Sequence, residues 1–142
     1  MSENKIKAGV VGATGYAGAE LCRILTGHPG AELTAVSSVS FEGKKLSDIY
    51  PSYYQVCEPV CGKQEEVVEQ CEVIFSALPH GLSQELAAEC DAKGKAFIDL
   101  GADFRLESEA EYQEWYGNSF LDPALHEKAV YGLPEHGCGC TR

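Results

Sequence analysis

The sequence predicts an α/β fold, a doubly wound, mostly parallel sheet in a single domain. Two observations carry that expectation. Short β-branched runs alternate with stretches of helical periodicity, and Gly12, Gly15 and Gly18 punctuate the junction between the first run and the first helix. Strands separated by helices of this length join through right-handed crossovers, which makes neighbouring strands parallel and gathers their carboxyl ends along one edge. The chain has 142 residues, 44% of them hydrophobic and 23% charged, enough to bury one core.

The elements follow in order. "IKAGVV" (6–11) reads as a buried strand. "AGAELCRIL" (17–25) reads as a helix with Ala17, Leu21, Ile24 and Leu25 on one face and Gly27 as its stop. "AELTAVSS" (31–38) is the second strand, and "CEVIFSAL" (71–78) is another, ending at Pro79. "GLSQELAAECDAKG" (81–94) is a helix burying Leu82, Leu86, Ala87 and Cys90. "KAFIDLG" (95–101) is a further strand and "EAEYQEWYG" (109–117) a short acidic helix. The least regular stretch, 41–62, holds three tyrosines and two prolines and reads as a surface connection. No repeat, low-complexity tract or linker divides the chain.

A net charge of −11 repels nucleic acid and anionic lipid, so neither is expected as a partner. No run has the apolar length of a membrane span, and the N-terminus has no secretory pattern. The seven cysteines (22, 57, 61, 71, 90, 138 and 140) are odd in number and form no C-x-x-C, which suits reduced thiols in a cytoplasmic protein, several packed as small hydrophobes. His136, Cys138 and Cys140 crowd into five residues, a poor closed metal site, and no metal is expected.

"GATGYAG" fits G-x-x-G-x-x-G between a strand and a helix. The first glycine permits the tight turn, and the second lets backbone approach a pyrophosphate, whose charge meets the free N–H groups at the helix start. The third lets the helix lie close on the sheet. This is the Rossmann-like arrangement of a dinucleotide-binding domain, and no G-K-[S/T] follows to make a Walker loop. NAD-binding units commonly end the second strand in an acid that holds the ribose 2′-hydroxyl. Here the strand ends in Ser37 and Ser38, then Val39 and Ser40, hydroxyls that suit the 2′-phosphate of NADP, with Lys44 and Lys45 close in sequence. The alternative is that the two serines only end a strand.

Three further segments fall at strand ends, where ligands collect. In "SALPHG" (76–81), Leu78 and Pro79 offer a rigid apolar wall for a nicotinamide ring, and His80 is either a cofactor contact or general acid, or an exposed structural residue. In "DLGADFR" (99–105), Arg105 is either a bidentate clamp for a carboxylate or phosphate or the partner of Asp99 or Asp103 in a salt bridge. Asp99 and Asp103 are not expected to form an acid–base pair. In "YGLPE" (131–135), Glu135 follows Pro134 and caps a turn.

Taken together, "GATGYAGAEL", "SSVSFEGKKLSDIYP", "FSALPHG", "DLGADFRL" and "VYGLPE" resemble the N-terminal portion of the N-acetyl-γ-glutamyl-phosphate reductases of arginine biosynthesis, in the same order over residues 6–135. Lysine-pathway aminoadipyl-phosphate reductases and aspartate-semialdehyde dehydrogenases are the neighbouring alternatives. The resemblance implies an NADPH-dependent reduction: a cysteine thiolate attacks an acyl phosphate, phosphate leaves, and the resulting thioester is reduced to an aldehyde. By position it assigns cofactor contacts to Gly12, Thr14, Gly15, Tyr16 and Ala17, to Ser37 and Ser38, and to Leu78, Pro79 and His80, with Arg105 toward substrate. Many members carry arginine where this chain has Val39, which removes one partner of the 2′-phosphate.

The family nucleophile stands in an A-N-P-G-C-Y-P-T type segment after "YGLPE", whereas here "HGCGCTR" follows and no cysteine has that context. The expectation is therefore a dinucleotide-binding domain over 1–135, a short tail over 136–142 that marks a truncation or an out-of-register end, and no turnover by this chain alone. A non-catalytic dinucleotide-binding module and a degenerate fragment are the remaining readings. The small-molecule substrate, N-acetyl-glutamyl phosphate, belongs to the full enzyme. Homo-oligomer formation is left open.

Overall fold

Val10 and Val11 are adjacent in sequence, yet each is buried in a different core, because successive residues of a strand face opposite sides of the sheet. The computed structural model describes residues 5–132. Strand β1 (Ile6–Val11) is the sheet's centre, and its run of buried residues reflects helices on both faces. Helix α1 (Tyr16–Thr26) leads to β2 (Ala31–Ser37), a short helix α2 (Leu46–Ile49), a 3₁₀ turn (Pro51–Tyr53) and β3 (Cys61–Gly62). Then come α3 (Gln64–Gln70), β4 (Val73–Ser76), α4 (Ser83–Ala92), β5 (Ala96–Asp99), α5 (Glu109–Tyr116) and α6 (Pro123–Lys128).

The five strands lie in the order β3-β2-β1-β4-β5, every pair parallel. Chain direction across the sheet reverses between β1 and β4, the switch point where open parallel sheets bind ligands. On one face Ala8, Val10 and Val36 meet Cys22 and Leu25 of α1 together with Leu46, Cys57 and Cys61. On the other, Val11 and Ile74 meet Val67 and Val68 of α3 and Leu86 and Cys90 of α4. The expected doubly wound architecture is what forms.

Three sequence expectations need correction. Helix α1 buries Gly18, Ala19, Cys22 and Leu25; of the expected face Leu25 is buried and Leu21 half-buried against the core, whereas Ala17 is exposed and Ile24 is 48% exposed. The cause is steric. A Cβ at Gly18 would run into the Gly12 carbonyl oxygen and stand 2.8 Å from Ala13 Cα, so the helix meets the sheet along its small residues. Leu82 is 59% exposed rather than buried, because α4 begins only at Ser83 and turns Ser83 and Gln84 inward.

The stretch 41–62 is no surface connection. The Leu46 amide donates to the Pro59 carbonyl (3.0 Å) and the Cys61 amide to that of Lys44 (2.9 Å), folding the segment back so that Leu46, Cys57 and Cys61 complete the core beside α1. Helices α3 and α6 were not read from the sequence; Val67 and Val68 among glutamates give α3 too short an apolar pattern.

Cys22, Cys57, Cys61, Cys71 and Cys90 are all free and buried. Burial, with the neighbouring thiols of Cys57 and Cys61 adding to it, pushes the Cys22 thiol up to about 12, and burial pushes Cys90 up to about 11. Thiolate is the reactive form, so these groups are poor nucleophiles at neutral pH. The expected outcome of iodoacetamide treatment at pH 8 is that these five sites stay unmodified in the native protein and react fully in denaturant, as read by peptide mass spectrometry. Rapid native labelling at Cys22 or Cys90 would contradict the packing described.

Candidate dinucleotide site

The turn that ends β1 is built by glycine geometry. Gly12 has φ +81°, a conformation that favours glycine, and a Cβ there would lie 2.7 Å from the Ala77 carbonyl oxygen at the end of β4. Its amide and that of Ala13 both donate to the Ser37 carbonyl, at 3.1 and 3.0 Å, pinning the turn to the end of β2. Gly15 differs. It has ordinary extended dihedrals (φ −75°, ψ 165°), and an added Cβ would meet protein no nearer than the Gly12 oxygen at 3.6 Å.

Gly15 is the N-cap of α1, and no side chain among the described residues caps that end. The first-turn amides of a helix have no intrahelical partner, and here they lie under exposed Gly15, Tyr16 (92% exposed) and Ala17. The helix start is open rather than sealed. Thr14 lies behind it, its hydroxyl 2.7 Å from that of Ser38, while the Tyr50 hydroxyl donates to the Thr14 carbonyl at 2.7 Å.

A cleft of about 320 Å³ opens beside this turn, lined by Val11, Gly12, Ser37, Ser38, Val39, Glu42, Gly62, Lys63, Gln64, Glu65 and Leu78. Ser37 and Ser38 are buried at its wall, and Val39 stands in solvent at 98% exposure. The nearby positive charges expected from sequence, Lys44 and Lys45, do not line it. Lys44 sits 6.0 Å over the Phe41 ring, and the Lys45 amide is tied to Asp48. The cation in the wall is Lys63, which follows the two-residue strand β3; no local sequence pattern marks so short a strand or singles out the lysine after it.

Of the other expected contacts, Leu78 reaches this cleft, whereas Pro79 and His80 are exposed and line neither cleft described here. The His80 ring rests against Tyr116, centroids 5.4 Å apart. Beneath their turn lies a buried polar network. The Ser83 hydroxyl donates to Asp99 Oδ1 (2.9 Å) and lies 2.8 Å from that of Ser76. Asp103 is fully buried and accepts from the Gly81 and Ser83 amides and the Tyr112 hydroxyl. Burial raises Asp99 above the usual carboxylate range, against the hydrogen bonds from Gly101 and Ser83, and its Oδ2 is buried without a partner among the described residues. Burial, then the bond to Asp103, raises Tyr112 above the usual phenol range.

Arg105 forms no salt bridge with Asp99 or Asp103. It is exposed, bonds the Tyr116 hydroxyl at 3.3 Å, and lines a separate cleft of about 570 Å³ along the outer edge of β5. Tyr131 and Gly132 of "YGLPE" line the same cleft, while Leu133, Pro134, Glu135, His136, Cys138 and Cys140 lie outside the described residues. The chain thus brings Gly12, Ser37, Ser38 and Leu78 to one cleft, sets Thr14, Gly15, Tyr16 and Ala17 beside it, and keeps Arg105 apart. Such an arrangement suits an elongated anion laid across the carboxyl ends of β1, β2 and β4.

The family model described as "Semialdehyde dehydrogenase, NAD binding domain" matches residues 7–137. The chain is 52% identical to an N-acetyl-gamma-glutamyl-phosphate reductase of Clostridium beijerinckii, covering 92% of this chain and 38% of that one. It is 47% identical to the reductase of Brachyspira hyodysenteriae, covering 92% and 37%. The chain therefore spans less than two fifths of the length of these curated relatives. Among solved structures, aspartate semialdehyde dehydrogenase of Candida albicans with NADP superimposes with a TM-score of 0.60 at 28% identity, over 75% of this chain and 32% of that one. The chain belongs to the semialdehyde dehydrogenase family, of which residues 7–137 form the NAD(P)-binding domain.

Proposed function

We propose that this chain holds NADP(H) for an N-acetyl-γ-glutamyl-phosphate reductase, in which the acyl phosphate is reduced to a semialdehyde. The single observation that carries the reading is the exposed start of α1 at Gly15, which no side chain caps among the described residues and where an added Cβ would meet nothing nearer than the Gly12 oxygen at 3.6 Å. The amides of Tyr16 and Ala17 and the positive end of the helix meet the diphosphate there. Ser37, Ser38 and Lys63 face the 2′-phosphate, and Leu78 with Pro79 and His80 borders the nicotinamide end. When bound, the cofactor supplies the reducing equivalents.

The names of the relatives support the substrate class, and the NADP in the Candida albicans structure supports the cofactor. Arg105 lines the β5 cleft, and its guanidinium is assigned to a carboxylate or phosphate of the substrate in this reading. The thiolate step is assigned to a cysteine that no position of these 142 residues matches in context, and Cys22, Cys57, Cys61, Cys71 and Cys90 are buried as free thiols. The chain by itself is accordingly proposed to bind cofactor without turnover.

Two glycines separate binding from folding. Gly15→Ala is expected to weaken NADPH binding about tenfold, ~1.4 kcal/mol, in calorimetric titration, while changing stability by less than about 1 kcal/mol. Gly18→Ala is expected to lower stability by about 1–3 kcal/mol in thermal denaturation, because its Cβ collides with backbone. Unchanged NADPH affinity in Gly15→Ala would remove the helix-start assignment.

Cofactor choice has its own test. Removing a charge-assisted contact costs about 1.5–3 kcal/mol, so Lys63→Gln is expected to weaken NADPH about tenfold or more and leave NADH within about twofold. Equal losses for both would take Lys63 away from the 2′-phosphate, and equal wild-type affinities would remove the NADP preference.

A further inference from the structure

The turn from Ala77 to Leu82 leaves β4 at the ligand edge of the sheet with no regular structure of its own, and a carboxylate more than 20 residues away holds it. Asp103 Oδ1 accepts the Gly81 amide at 2.5 Å and the Tyr112 hydroxyl at 2.8 Å, and Oδ2 accepts the Ser83 amide at 2.9 Å. Gly81 has φ +88°, and a Cβ there would lie 2.8 Å from Asn118 Nδ2, so the turn is closed from the outside as well. A fully buried carboxylate is costly unless every oxygen is satisfied, and apolar packing commonly serves stability as well as a buried charge does. Two of the three donors are backbone amides, one inside that turn at Gly81 and one at Ser83, where the turn enters α4. What the charge fixes is therefore the course of the backbone from Pro79 to Ser83.

We propose that Asp103 is a positioning residue for the nicotinamide half of the bound dinucleotide, acting through Gly81 and Ser83 on the turn that carries Leu78, Pro79 and His80. The inference rests on the dinucleotide reading above. The adenosine half is served by different elements, the start of α1 and the end of β2, which Asp103 does not touch. The two halves of the ligand therefore respond differently when the carboxylate is lost. A residue that merely stabilised the fold would move both alike.

The experiment titrates the 142-residue chain, wild type and Asp103→Asn, with NADPH and with adenosine 2′,5′-diphosphate, which lacks the nicotinamide half. The expected result is an NADPH loss of about tenfold with the adenosine diphosphate changed by less than about twofold. Hydrogen exchange is expected to speed up at the Gly81 and Ser83 amides while the amides of β1 keep their protection. Tyr112→Phe removes one donor and leaves the charge in place; it is expected to give the same split at about threefold, and it decides the matter where Asp103→Asn does not fold. Equal losses for both ligands, no loss for either, or unchanged exchange at Gly81 and Ser83 overturns the proposal. A wild-type chain that binds neither ligand overturns the dinucleotide reading itself, and this inference with it.

Discussion

The approach of α1 to the turn ending β1 sets the rest of the ligand edge. At Gly18 the helix lies against the Gly12 carbonyl, and at Gly12 the turn lies against the Ala77 carbonyl, so β1, α1 and the end of β4 meet with backbone facing backbone. Neither contact tolerates a side chain. The consequence reaches past packing, because the same closeness presents the first-turn amides of α1 at the sheet's switch point instead of burying them against a neighbour. The two amides that Ser37 accepts then tie the end of β2 into the same unit, which brings its serines to the cleft wall.

From that unit outward, the edge is held by polar side chains rather than by more apolar contact. Tyr50 reaches Thr14 from a segment more than 30 residues away, and Asp103 reaches Gly81 and Ser83 from beyond β5. Both anchor loop backbone, although Asp103 also accepts from the Tyr112 hydroxyl. Loops at the end of a parallel sheet carry amides that no strand partner satisfies, and a fixed acceptor gives those amides a single arrangement. A ligand edge built in this way is ordered before anything binds, which lowers the entropy lost on binding.

How much of this the sequence disclosed follows from the length over which each signal extends. The strand-turn-helix around "GATGYAG" and the parallel character of the sheet were legible, since periodicity and glycine spacing operate within some 15 residues. The buried face of α1 was not, because hydrophobicity favours Ile24 whereas the collision at Gly18 decides the rotation. Lys63 was invisible for a different reason: it follows a strand of two residues, and only its pairing with Val36 and Ser37 carries it to the cleft. The role of Asp103 had no local trace either. Its partners are two backbone amides and a tyrosine hydroxyl, none of them marked by sequence spacing.

A chain of net charge −11 that receives a polyanion needs its positive potential to be local. The cleft itself illustrates the point, because Glu42 and Glu65 line it together with Lys63, so formal side-chain charge alone does not attract phosphate there. Exposed charges act over about a Debye length of solvent, some 8–10 Å at moderate ionic strength, and their repulsion is screened. Backbone amides at a helix start act at hydrogen-bond distance, are not screened in the same way, and cannot be neutralised by titration. The distribution of roles follows from that difference in range. On the proposed reading, peptide dipoles take the diphosphate, where a strong contact is needed whatever the net charge, and Lys63 is left to distinguish one nucleotide from another at the wall of the cleft.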